Sequence, residues 1–457
     1  MAKDNAPPCP PPVTRWLADR ASGIDFADLP EAAVTVTRHC ILDWFAVTLP
    51  GAVEPMAQIL RDELLEDGAL PVASLVGFPG RTSAAHAAII NGTASHALDF
   101  DDVNMAVLGH PTVAILPGLL ALAEQIDATD EDLIAAFVAG YEVACRTGAL
   151  VSPSHYNHGF HATATVGSIG AAAGCARLLG LDGERTATAM SIAATLASGL
   201  KSMFGTMCKP LHAGRASQNG LMAARLAARG YSGRTDALEC TQGFAATQSV
   251  DFHPDAAMAP APLDHHLRQN LFKYHAACYL THGAIEAAGR LRRDHAISPN
   301  AIEAITIRVP PMADRVCNLP RPQTGLEAKF SLRLTVAMAL AGRDTSGIGT
   351  YTDDLTRDPV LVQLRDLAVL EFDDIFPEAK ARISISAMGG QVLTAEHDAG
   401  VPGADLAEQE RKLAAKFEAL VVPVLGSDRA DSLRDAILAL GHGGSVRELM
   451  KRAEVLQ

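Results

Sequence analysis

The chain has 457 residues, enough for two domains, since one hydrophobic core rarely grows past about 250–300 residues. Apolar residues make up 48% and charged ones 20%, an ordinary globular balance that excludes disorder as the general state. Its 38 basic and 52 acidic side chains leave a formal charge of −14, a field that repels nucleic-acid backbones and anionic membrane surfaces.

In chain order, residues 1–12 (MAKDNAPPCPPP) read as a flexible tail without the apolar stretch of a signal peptide. No later run is expected to span a membrane, and the eight scattered cysteines, with no CxxC pair, read as buried free thiols, so the expected compartment is the cytoplasm. Residues 13–264 carry Ala, Leu and Gly in helical rhythm and predict a helical domain. Within it, Thr129 caps a helix bearing Ile134, Phe137, Val138 and Tyr141, with Asp132 completing a capping box. A second helix is predicted from Asp182 to about Gly199 and a third from about Gly214 to Gly230. Gly167, Gly170 and Gly174, and Ser217, Gly220 and Ala224, leave room for close helix packing. The stretch GSIGAAAG lacks the GxGxxG spacing and a preceding strand, so packing explains it better than a dinucleotide does. Residues 265–404 change character: Ile305, Ile307 and Val309 alternate with polar partners, and ARISISAMGGQVLTAEH repeats the alternation around a Gly-Gly turn. A smaller α+β domain is predicted there. Residues 405–457 return to helix and are expected to rejoin the first domain, giving a mainly α fold with a smaller α+β domain.

Four polar constellations interrupt this apolar background. In HALDFDDVNMAVLGHP, His96, Asp99, Asp101, Asp102 and His110 crowd together, and like charges side by side raise the proton affinity of at least one carboxyl. Helix capping, a divalent metal site and an acid–base cluster all account for that crowding. In SPSHYNHGFHATA, His155, His158 and His161 recur every third residue, but Pro153 and Gly159 break any continuous helical face. His161 stands before a helix start, where free amides suit an anion. In MCKPLHAGRASQNG, Lys209 and His212 precede the third helix, and in NLFKYHAACYLTHG, Lys273 and His275 are expected at the mouth of the next. A lysine capping a loop is the plain alternative for both.

Together these segments, with AKFSL further on, resemble the successive signatures of the MmgE/PrpD family, in the family's order, from about Ile41 to about Val421. Members include 2-methylcitrate dehydratase, cis-aconitate decarboxylase and iminodisuccinate epimerase. The resemblance implies a helical domain built from both chain ends, an α+β lid domain between them, a homodimer, and catalysis without metal or organic cofactor. Carried over by position, its catalytic residues fall on Asp99, His110, His161, Lys209 and Lys273, with His158, His212, Arg215 and His275 as further substrate-binding candidates. His96, Asp101 and Asp102 then support Asp99, and the pocket is expected near the seam between the domains. Val103 departs from the threonine of the decarboxylase branch, the stretch from Asp102 to His110 is one residue longer, and Arg333 and Leu334 replace a common Pro and Tyr.

The expected substrate is a small di- or tricarboxylic acid whose carboxylates are held by Lys209 and Lys273, with Arg215 a further cation. Such a cluster overrides the acidic field. A base among His161, His110 and Asp99 handles a proton next to a carboxylate. Loss of water, the leading expectation, makes the protein a hydro-lyase; reprotonation makes an epimerase, loss of carbon dioxide a decarboxylase, and no chemistry at all a carboxylic-acid-binding dimer.

Overall fold

A computed structural model describes residues 11–455. Of the tail expected over residues 1–12, positions 1–10, Cys9 among them, lie outside the described residues. The chain divides into two compact units, residues 1–270 with 421–457, and residues 271–420.

The first unit is a helical assembly. Its main elements are α1 (Glu31–Gly51), α2 (Ala84–His96), α3 (Pro111–Ile126), α4 (Asp130–Val151), α5 (Ala162–Leu178), α6 (Gly183–Leu196) and α7 (Cys208–Ala228). Thr129 Oγ1 accepts from the Asp132 amide at 3.1 Å, the expected N-cap, and donates to Asp132 Oδ2 at 2.8 Å, so the acid meets the hydroxyl and the reciprocal half of the capping box does not form. Asp182 caps α6 in the same way, but that helix ends at Leu196, short of the expected Gly199. Helix α7 starts at Cys208, before the expected Gly214. Pro210 lies in its first turn, where a missing N–H costs no helical hydrogen bond, so Lys209 and His212 are helical residues rather than parts of a preceding turn.

The small residues do let the helices meet closely. A Cβ on Gly220 of α7 would sit 2.3 Å from the Ala171 Cβ of α5, and one on Gly170 of α5 would sit 2.7 Å from the Gly140 carbonyl of α4. Ser217 Oγ accepts from the Gly118 amide of α3 at 2.6 Å. Against the sequence expectation, α4 is long and apolar enough to cross a membrane by length and composition. Three acids occupy its first turn, and 89% of its most apolar stretch is buried among the other helices. The chain end returns to this unit: Ser427–Leu438 packs on α1 and Val446–Arg452 on α3.

The second unit holds a four-stranded sheet, β1 (Ile302–Val309), β2 (Ala368–Phe372), β3 (Lys380–Ala387) and β4 (Gln391–Asp398), in the order β2-β1-β3-β4. Only the β1–β2 pair is parallel, and helical segments fill its crossover. Ile305, Ile307 and Val309 all point to the buried face, as their alternation predicts, and Gly389 and Gly390 both take positive φ in the β3–β4 turn. Helix α8 (Tyr279–His295) packs on β3 and β4.

The divisions fall at Asn270/Leu271 and Leu420/Val421, not at the expected 264/265 and 404/405. Most of the helix α9 (Leu406–Leu425), expected with the first domain, belongs to the second unit. Its Lys412 Nζ lies 2.6 Å from Glu286 Oε1 on α8, a contact that helical periodicity cannot reveal. Among the described cysteines, Cys208 is exposed at the start of α7, which corrects the expectation that the thiols are buried; Cys40, Cys145, Cys175 and Cys317 are buried.

Candidate active site

Four helix ends in the first unit gather the polar residues. His96 is the last residue of α2, His110 is the N-cap of α3, His161 is the N-cap of α5, and Lys209 lies in the first turn of α7. The loop from α2 to α3 carries Asp99, Asp101 and Asp102. Asp99 (φ +50°) and Leu108 (φ +53°) are both left-handed in it, a conformation costing non-glycine residues about 1–3 kcal/mol each.

Asn104 holds the loop in shape. Its Nδ2 donates to Tyr141 Oη at 3.2 Å and to the His266 carbonyl at 3.1 Å, and its backbone N donates to the Gly109 carbonyl at 2.9 Å. Gly109 is required by close approach, because a Cβ there would lie 2.8 Å from Thr163 Oγ1. The same hydroxyl accepts from the His110 amide at 3.1 Å, docking the start of α3 on the start of α5. Asn104 and Thr163 were not singled out from sequence. A buried asparagine in a loop and a threonine in a helix start give no signal until the loops fold together.

Asp101 lies between two imidazoles. Its carboxylate is 3.0 Å from His96 Nδ1 through either oxygen and 2.9 Å from His110 Nδ1, the latter at an angle that misses hydrogen-bond geometry. Burial opposes its ionisation, but the two rings together outweigh burial and hold this carboxyl well below the usual range. His96 is itself lowered to about 4, by burial first and, after the opposing pull of Asp101, by Lys209. Asp99 is the exposed acid, its side chain 56% accessible; Lys209 Nζ lies 2.8 Å from its Oδ2 and His110 Nε2 3.8 Å from its Oδ1.

His161 is 2% exposed. Its ring stacks on His96 at 5.9 Å between centroids and takes the edge of Phe204 at 4.9 Å, and its Nδ1 lies 3.1 Å from His212 Nδ1. Burial, then the like charges of His96, His110, His212 and Lys209, push its proton affinity down to about 2, which favours the neutral ring. Phe204, another residue not found from sequence, also presents its ring 5.4 Å from Lys209 Nζ.

Asp102 faces away from this group. It accepts from Asn270 Nδ2 at 2.7 Å and from the Thr112 hydroxyl, and burial, then nearby Asp43, raises its carboxyl to about 7.

The remaining candidates have surroundings of their own. His155 is a structural histidine, bonded to Thr165 Oγ1 at 2.7 Å and the Gln248 carbonyl at 3.1 Å. His158 is exposed, next to the one-turn helix Ser154–Asn157. Arg215 is exposed on α7 and donates to Gln218. Lys273 and His275 belong to the second unit, where Lys273 is 6% exposed. Helix α8 begins only at Tyr279, so its N-terminal dipole does not adjoin Lys273 in sequence as expected. His275 Nδ1 lies 2.7 Å from Thr345 Oγ1 and its Nε2 3.5 Å from Glu286 Oε1.

Residues 15–257 match the MmgE/PrpD N-terminal domain, and residues 275–441 match the MmgE/PrpD C-terminal domain. The chain belongs to the MmgE/PrpD family. Among curated MmgE/PrpD relatives, cis-aconitate decarboxylase of Homo sapiens is 27% identical over 92% of this chain and 90% of its own length, and that of Mus musculus is 27% identical over 92% and 89%. Cis-aconitate decarboxylase of Aspergillus terreus is 24% identical over 96% of this chain and 95% of its own. The MmgE/PrpD match encloses Asp99, His110, His161 and Lys209, whereas Lys273 falls just before the second matched segment.

Proposed function

We propose that this chain is a lyase acting on a small di- or tricarboxylic acid by proton transfer at the carbon next to a carboxylate, without metal or organic cofactor. The observation that carries the reading is the buried His161, which shares the Phe204 ring with Lys209 of the Lys209–Asp99 ion pair. A substrate carboxylate replaces Asp99 as the partner of Lys209, which answers the repulsion of an acidic surface. Charge developing on the substrate as a bond beside that carboxylate breaks is held by the same ammonium group. His161 and His110 are the proton carriers, and Asp101 orients His96.

The names of the relatives favour decarboxylation of a cis-aconitate-like acid, in which the carbon–carbon bond breaks, carbon dioxide leaves, and the electron pair left on carbon takes up a proton. Dehydration is the second reading. It is favoured by Val103, where the decarboxylase branch carries threonine.

A panel of citrate-like acids, tartrates and aspartate derivatives, followed by NMR in deuterated water, separates the outcomes. Carbon dioxide, with deuterium on the carbon that it left, marks a decarboxylase; an alkene formed with loss of water marks a hydro-lyase. Inversion alone makes the protein an epimerase, and no change across the panel makes it a binding protein, either of which sinks the lyase reading. Turnover is expected to survive exhaustive chelation; loss restored by a divalent ion would overturn the cofactor-free mechanism.

A further inference from the structure

One donor atom from each of His96, Asp99, Asp101 and His110 lies within 4.8 Å of the other three. Two imidazole nitrogens and two carboxylate oxygens form a borderline donor set of the kind Zn²⁺ accepts, while Mg²⁺ and Ca²⁺ favour oxygen throughout. His96 adds a second observation. Its Nε2 is buried and without a hydrogen-bond partner, while its Nδ1 lies 3.0 Å from the Asp101 carboxylate that belongs to the same donor set.

From this donor set we infer that the cluster is a reversible, inhibitory Zn²⁺ site. Zinc bonds of about 2.0–2.2 Å require the four donors to draw closer. Asp99 is the most accessible of the three, its side chain 56% exposed while those of His96 and Asp101 are 0% and 2%, so it has the most room to shift. To reach the ion, Asp99 gives up its pair with Lys209 Nζ, and that ammonium then stands close to a dication. Both costs weaken binding, so the ion exchanges at about micromolar concentrations instead of residing as a structural zinc. Bound zinc withdraws Asp99 and His110 from proton transfer. Binding stands on the donors alone, and the inhibition rests on the acid–base reading of the site.

The test starts with metal-free protein and Zn²⁺ alone, measured by equilibrium dialysis. One zinc per chain is expected, with affinity falling at least tenfold in Asp99→Asn and in Asp101→Asn, and no displacement by millimolar Mg²⁺. Circular dichroism checks that each variant is folded, and the accessible Asp99 provides the variant least exposed to misfolding. Affinity unchanged in Asp99→Asn, or ready displacement by Mg²⁺, overturns the site. Turnover is then followed at free zinc levels set by a metal buffer, because substrate carboxylates themselves bind zinc. Loss of turnover at the concentration that fills the site, reversed by chelator, supports the inhibition. Zinc bound with turnover intact leaves the donor site standing and removes these residues from catalysis.

Discussion

His161 stands against Phe204 and His96 with almost no access to water, and its low proton affinity follows from that burial before any neighbouring charge is counted. His161→Ala, Lys209→Ala and Lys273→Ala are each expected to lower kcat/KM at least about 100-fold, the lower range for a positioned proton-transfer or charge-holding group, with the circular dichroism spectrum unchanged. Full activity in any one removes that residue from the mechanism. Asp102 allows a separate test of the electrostatics. Its carboxyl, ordinarily near 3.8, is raised to about 7, so between those pH values the folded protein keeps a proton that the unfolded chain has lost. Stability from this group is therefore complete below about pH 4 and lost as the pH rises through 7. Asn mimics the protonated acid. The melting temperature of Asp102→Asn is expected to gain on that of the native protein as the pH is raised from 4 to 7, and parallel curves would show that the raised value is wrong.

At the scale of elements, the site depends on helices that approach closely enough to bring their ends together. Gly220 on α7 faces Ala171 on α5 with no room for a side chain, and these are the helices that begin beside Lys209 and His161. Gly220→Val is expected to cost about 1–3 kcal/mol or more by overpacking, read as a lower urea midpoint at an unchanged m-value. An unchanged midpoint would mean the helices part without cost. The cap at Thr129 and a helix start at Asp182 were legible in the sequence, because such starts rest on neighbours three residues away. The start of α7 was not: Cys208 to Ala213 reads locally as a lysine-bearing turn, and only packing against α2 and α5 extends the helix back to Cys208.

For the whole molecule, we propose a homodimer. Sedimentation equilibrium is expected to give twice the 48.0 kDa chain mass, and a concentration-independent monomer would refute it. The succession of a helical stretch, an alternating segment with a Gly-Gly turn and a helical end was readable as two domains, since each periodicity is a local property. The placement of α9 was not, because the ion pair of Lys412 with Glu286 joins residues far apart in the chain.

By itself the sequence determined the mainly helical class, the β alternation, the family signatures and the identity of the polar residues, all of which depend on residue type and short-range spacing. Tertiary structure decided which of them meet. It set Asp99 on Lys209, Asp101 between His96 and His110, and His161 against His212, while turning Asp102 toward Asn270 and leaving His158 and Arg215 exposed. The reason is physical: proton affinity and ion pairing depend on burial and on distances of a few ångströms, and those are set by the packing of helix ends far apart in the chain.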